Sequence, residues 1–283
     1  MVYGGGITIN MKKRLSVKTK MIEFRNPYHI EPPGVSRQIL SHPVNESEAI
    51  ELVVFQEHRY AFFYWNNWMQ KNEGANPPCL VSLDWHQDLC YPEDIEKEWL
   101  DELDLNSDGE VSIFSWAKLA GNNDGHILSA AYLNLIGDIY VHCRQGKFPD
   151  SWKDKELIDT YGNKHTVKKF KTYKDLQVAL LSSSETSVFF DVDLDFFSVK
   201  NGLSDGSFDF TYLQEEEIRE MLDKENPLID WIFQRIKGFT IATEPEHCGG
   251  LLRSNKFLDL ISDIYFKPEL FAPKCNWKWK PEY

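Results

Sequence analysis

The sequence predicts an α/β fold of three layers, with helices covering both faces of a mostly parallel central sheet. Two observations carry this. Short apolar, β-rich runs recur between helical patterns, as strands buried on both faces do. The polar residues able to carry chemistry follow directly after those runs, where open parallel sheets hold their ligands. The chain has 283 residues, 42% apolar and 14% aromatic, which suits one large α/β domain and excludes a disordered chain. A flexible leader is expected over residues 1–22, with Gly4-Gly5-Gly6 followed by Lys12, Lys13, Arg14, Lys18 and Lys20. Met11 or Met21 would serve as alternative starts, and residues 23–283 form a single domain.

The elements follow in order. Glu51–Gln56 is the first strand, followed by an aromatic helix from Arg59 to about Lys71, whose Phe62, Phe63, Trp65 and Trp68 are spaced for a core face. Cys79–Leu83, introduced by Pro77-Pro78, is the second strand. Ile127–Ile136 is Ala/Leu-rich and helical, leading into a short strand at Asp138–His142. Gly146–Lys174 is polar and turn-rich, an excursion or a hairpin that would cover a site. Thr186–Phe190 and Phe239–Thr243 are further strands, with a charged helix at Glu215–Asp223 and an apolar one at Pro227–Ile236 between them.

Lys plus Arg total 31 against 44 Asp plus Glu, for a formal charge of −13. That balance argues against nucleic-acid binding, which needs clustered Lys and Arg, and is compatible with a cationic ligand. The five cysteines are scattered and form no CxxC pair, which reads as reduced thiols in a cytoplasmic protein. No run is long and apolar enough for a membrane span, and no membrane partner is expected.

Chemistry concentrates after the strands. Glu57-His58 follows the first, Asp84-Trp-His86-Gln-Asp88 the second, Asp191-Val-Asp193-Leu-Asp195 the third and Glu244-Pro-Glu246-His247 the last. Alternate residues leaving a strand point the same way, so these carboxylates converge and repel unless a counter-charge is present. Asp84, Asp88, Asp191 and Asp193 carry about −4, which two divalent ions offset. Mixed Asp and His donors without Cys favour manganese-like or iron-like metals.

The Asp84-x-His86-x-Asp88 and Phe190-Asp191-Val-Asp193 blocks resemble the metal motifs of the ureohydrolases, the family of arginase and agmatinase. The upstream His58, the Gly125-His126 segment and Glu244 resemble the family's separate histidine ligand, its proton-transfer histidine and its guanidinium-contacting glutamate. Taken with Thr243–His247 and the run through Asp195, the blocks are most similar to the peptide arginases, which convert peptidyl arginine to ornithine. The Gly that usually follows the second motif is replaced by Leu194-Asp195, and the loops that recognise free arginine are not apparent.

The resemblance implies an arginase/deacetylase-like α/β/α fold and two Mn2+ ions per subunit. One ion would be held by His58, Asp84, Asp88 and Asp191, the other by Asp84, His86, Asp191 and Asp193, with Asp84 and Asp191 bridging. Asp88 would carry a proton to the departing amine, His126 would shuttle protons, Glu244 would orient the guanidinium, and Asp195 would steady the ligand strand. The implied reaction is hydrolysis of arginine side chains in a ribosomal precursor peptide, releasing urea. Alternatives are a hydrolase of free arginine, agmatine or another small guanidino compound, a zinc-dependent deacetylase-like amidohydrolase, and a non-catalytic peptide-binding relative. An oligomer is compatible with any of these.

Asp104-Leu-Asn106-Ser-Asp108-Gly109 matches the first half of a calcium loop, but Ser115 stands at the twelfth position, so an Asx turn opening a helix is expected. His142 and Cys143 read as structural, His247 and Cys248 as a turn, with an approach to the site as the other reading, and the amphipathic Trp277-Lys-Trp279 tail as packing on the body or on a partner.

Overall fold

Along Ala49–Phe55 (β2), alternate side chains part to opposite faces. Leu52 and Val54 enter one buried cluster, while Val53 and Phe55 enter the other. This period of two, repeated along its neighbours, produces a sheet buried on both sides. The computed structural model describes residues 30–71, 76–119, 122–145, 154–202 and 208–280. The expected leader over 1–22, Gly121 and the start of the polar segment at Gly146 lie outside them.

The other strands of the main sheet are Ser36–Ser41 (β1), Cys79–Asp84 (β3), Ile139–Cys143 (β4), Lys155–Ile158 (β5), Lys164–Phe170 (β6), Val188–Asp193 (β7) and Ile236–Ala242 (β10). A separate hairpin pairs Ser198–Gly202 (β8) with Phe208–Tyr212 (β9). The eight-stranded order is β1-β2-β10-β7-β3-β4-β6-β5. From β2 to β6 every pairing is parallel, and only the outermost strands β1 and β5 run antiparallel. The expected α/β architecture with a mostly parallel sheet is what the chain adopts.

Helices Ala61–Gln70 (α1), Asp94–Asp101 (α2), Asp108–Ile113 (α3) and His126–Tyr132 (α4) cover one face. Tyr173–Leu181 (α5), Glu215–Leu222 (α6), Pro227–Phe233 (α7) and Leu251–Tyr265 (α8) cover the other. The aromatic stretch is core, as its spacing predicts: Phe62, Phe63, Tyr64, Trp65 and Trp68 are all buried. α7 starts with Pro227 in its first turn while the Asn226 side chain accepts from the Leu228 N–H, a favourable N-terminus. Of the two readings of the tail, it packs on the body: Trp277 and Trp279 stack on each other, and both rings lie tilted against Phe233. Their indole N–H groups donate to the carbonyls of Ser41 and Pro43.

Of the two readings of the polar segment, the hairpin is what its described part forms: β5 and β6 pair antiparallel at the sheet edge, and β6 joins the core sheet through β4. The hairpin turn is fixed by Asp159, whose carboxylate accepts from the N–H groups of Tyr161 and Asn163. Asp104–Ser115 behaves as the Asx-turn reading expects: Asp104 accepts from the Asn106 N–H, Ser107 caps α3, and Ser115 is buried and donates to backbone carbonyls. The five cysteines are free. Among the described residues no helix is long and apolar enough to cross a membrane.

One contact shows how tightly α1 seats on the sheet. A Cβ built on Gly238 would lie 2.2 Å from the Trp68 ring, at an irregularity in β10. Gly238→Ala is therefore expected to destabilise the fold by about 1–3 kcal/mol through overpacking. A lowered urea midpoint at unchanged slope would show it.

Candidate metal centre

Four adjacent strands, β2, β10, β7 and β3, deliver their carboxyl ends to one place. His58 opens the 3-10 turn after β2, Asp84 ends β3, Asp191 and Asp193 lie on β7, and Glu244 follows β10. The strand pleat turns Val192 to the far side and both aspartates inward. All of these polar residues are buried, as are Asp88, His126 and Asp195.

Their atoms crowd around His58. Its Nδ1 lies 3.0 Å from Asp88, 3.4 Å from Asp193 and 3.6 Å from Asp84. Its Nε2 faces the other way, 2.8 Å from Asp191. Beside this group, His86 Nδ1 is 2.8 Å from Asp195 and 3.9 Å from the second oxygen of Asp84, with the His247 ring against it. Donor atoms gather within 4.8 Å of one another in four overlapping groups: His58–Asp84–Asp193, His58–Asp88–His126, His86–Asp195–His247 and Asp193–Asp195–Glu244. Asp84 and Asp193 therefore join a His58 side to a His86 side.

The predicted ligands converge, but Asp191 sits apart from the rest. Its cross-strand neighbours are Ser82 and Thr240, whose hydroxyls donate to it at 2.9 and 2.6 Å. With His58 on the same carboxylate, Asp191 has its oxygens engaged. Asp195, expected only to steady the strand, presents one oxygen to His86 while the other accepts from the Trp85 N–H. His247, read as a turn residue, joins the donor groups.

His126 was expected to shuttle protons. It is fully buried, its ring 4.3 Å from that of His58. The Asn123 carbonyl, 2.9 Å from Nδ1, can only accept, so Nδ1 carries the hydrogen and Nε2 is a lone pair. Glu244 accepts from the His58 N–H at 3.1 Å and from Asn123 Nδ2 at 2.6 Å. Asp88, Asn123 and Glu244 all have positive φ, 48°, 58° and 26°, backbone strain of the kind that functional sites retain.

A divalent pair fits this donor set. Asp84 Oδ2, Asp193 Oδ2 and His126 Nε2 are buried without a hydrogen-bond partner, a costly state that coordination would relieve. The donors are oxygen and nitrogen only, a hard-to-borderline set suited to divalent ions of that class. Charge points the same way. Burial, then the neighbouring carboxylates, push the Asp84 and Glu244 carboxyls well above the usual range, and Asp193 moves up for the same reasons. Burial alone would lower the His58 pKa, but the Asp191 charge outweighs it and holds His58 well above an ordinary histidine. Burial, followed by His58, drives His126 well down, so its ring stays neutral.

Asp88 and Glu244 line a cleft of about 360 Å³ together with His86, Cys90, Asp124 and His247. Among the described residues that line it there are carboxylates but no Lys or Arg, an electrostatic preference for a cation.

No family model matches the sequence, and no curated protein matches it. Solved structures of similar shape include two hydrolases. One is the proclavaminate amidino hydrolase of Streptomyces clavuligerus, with a TM-score of 0.40 and 13% identity over 68% of this chain. The other is Helicobacter pylori arginase, with a TM-score of 0.36 and 12% identity over 74% of this chain. The chain spans 54% of the first and 70% of the second.

Proposed function

We propose that the chain is a binuclear manganese hydrolase that converts arginine side chains in a ribosomal precursor peptide to ornithine and urea. The observation that carries this reading is the buried His58–Asp84–Asp193 group, sharing members with two further donor groups and opening beside a carboxylate-lined cleft. The sequence motifs favour a guanidine as the cation, and the missing free-arginine loops favour one held within a peptide.

The distances favour a ligand set shifted along β7 from that implied by the motifs. His58, Asp84, Asp88 and Asp193 would hold one ion, and Asp84, His86, Asp193 and Asp195 the other. His126 and His247 stand close enough to add donors. Asp191 then accepts the Nε2–H of His58 and leaves Nδ1 as the donor lone pair, with Ser82 and Thr240 fixing the carboxylate in turn. When bound, the ions supply Lewis-acid activation of water for attack on the guanidinium carbon.

The remaining roles belong to side chains. Glu244, held by Asn123 and the His58 N–H, would present its carboxylate to the guanidinium through charge-assisted hydrogen bonds. Asp88 lines the same cleft and would pass a proton to the departing amine.

The test is a panel in which the manganese-loaded protein meets arginine, agmatine, an acetyl-lysine peptide and several arginine peptides. Urea from the peptides, with a matching mass loss, is the expected result. Urea from arginine or agmatine alone would move the reading to a small-guanidine hydrolase. Acetate release would favour a deacetylase, and no product from any substrate at confirmed metal occupancy would overturn a catalytic role.

A further inference from the structure

Lys169 lies near the carboxyl end of β6, paired in register with Val141 of β4, at the same end of the sheet as the donor cluster. It is only 8% exposed, where lysine is rarely found unless paired. Its ammonium donates to the Gln87 side-chain oxygen at 3.3 Å. Among the described residues no carboxylate forms an ion pair with it. An ammonium has three donors, so this contact leaves two.

Its surroundings are a narrow recess of about 100 Å³ walled by Leu89, Leu128, Leu157 and Val167, with Lys155 and Glu156 also lining it; the Glu156 carboxylate is paired with Lys164. Gln87 and Leu89 also line the larger cleft in front of Asp88 and Glu244. Gln87 stands between His86 and Asp88 in sequence, so the recess opens directly beside the candidate centre. Burial draws the Lys169 pKa below an ordinary lysine value, with Lys155 adding to the effect. In an acidic molecule, Lys169 is a buried cation beside a cleft lined by carboxylates.

We propose that Lys169 and Gln87 form a carboxylate subsite, which binds an acidic group on the substrate while the cation of that substrate occupies the adjoining cleft. This rests on the guanidine reading above, and it names the substrate class more narrowly as a guanidine bearing a carboxylate. Lys169 would supply two charge-assisted hydrogen bonds, and the amide of Gln87 can donate to the same group. The carboxylate has two sources: an acidic side chain next to a peptidyl arginine, or the free carboxylate of arginine itself.

The experiment measures dissociation constants on the metal-loaded full chain for two matched pairs. Arginine peptides with Glu or Gln beside the arginine test the side-chain source, and arginine against agmatine tests the free carboxylate. The carboxylate-bearing member of one pair is expected to bind about tenfold more tightly. Lys169→Met should bring that ratio close to one, and Lys169→Arg should retain most of it. A ratio unchanged in Lys169→Met, or no preference in either pair, would overturn the subsite.

Glutarate binding, followed by methyl shifts of Leu128 and Val167, separates this proposal from the guanidine reading. If glutarate binds through Lys169 but no guanidine is turned over, the subsite stands and the guanidine reading falls. If urea forms but glutarate and both pairs ignore Lys169, the reverse holds.

Discussion

Asp193→Asn is expected to abolish tight metal binding and urea release together, with activity falling at least about 10³-fold, the scale of losing a preorganised charge at a reacting centre. Asp193 is the residue whose removal should do most harm. It belongs to both the His58–Asp84 group and the Asp195–Glu244 group, and its other oxygen accepts from the Asp195 N–H. The metal-free fold should not suffer equally. Asp193 is buried among like charges that oppose its ionisation, so a neutral isostere relieves repulsion. Metal content after gel filtration, urea formation and the metal-free melting temperature check this together. Full activity with retained metal would remove Asp193 from the site.

The second large effect is a contrast between its two neighbours. Asp195→Asn should leave one ion bound tightly and the other lost, because the His86 side loses its closest carboxylate. Asp191→Asn should keep both ions but weaken them by about 10–100-fold, the usual cost of disturbing the partner of a ligating histidine. Ser82 and Thr240 donate to opposite oxygens of Asp191, so the asparagine keeps one of these bonds and offers its amide N–H to the other hydroxyl, which can turn to accept; folding is a smaller concern than with alanine. Metal stoichiometry by elemental analysis reads the difference. If Asp191→Asn loses an ion and Asp195→Asn does not, the ligand set implied by the motifs is the correct one.

That contrast shows where the sequence stops being legible. The strand-to-loop positions of His58, Asp84, Asp88 and Glu244 were readable because alternation after a buried strand sends every second side chain the same way. The same alternation makes Asp191, Asp193 and Asp195 equivalent on paper. What separates them is non-local: the register that sets Ser82 and Thr240 beside Asp191 and leaves Asp195 to meet His86. His247 follows a Pro-Glu turn and looks structural until the fold carries it against His86. Lys169 was hidden because its segment has alternating polarity and turn residues, which read as an excursion or a hairpin outside the core. The pairing of β6 with β4 makes it a sheet strand. The layering was easier to read, since it follows from apolar runs whose burial both faces of the sheet require.

The most direct measurement is a manganese titration of the metal-free protein at neutral pH, followed by calorimetry and electron paramagnetic resonance. Two tightly bound ions per chain with a spin-coupled signal are expected, together with release of protons from the crowded carboxyls and His58. The melting temperature should rise with free manganese, by a stabilisation of about 2.7 kcal/mol per bound ion at a hundredfold excess over Kd. Binding of no more than one ion, or of ions that Asp193→Asn does not displace, would contradict a metal pair in the buried cluster.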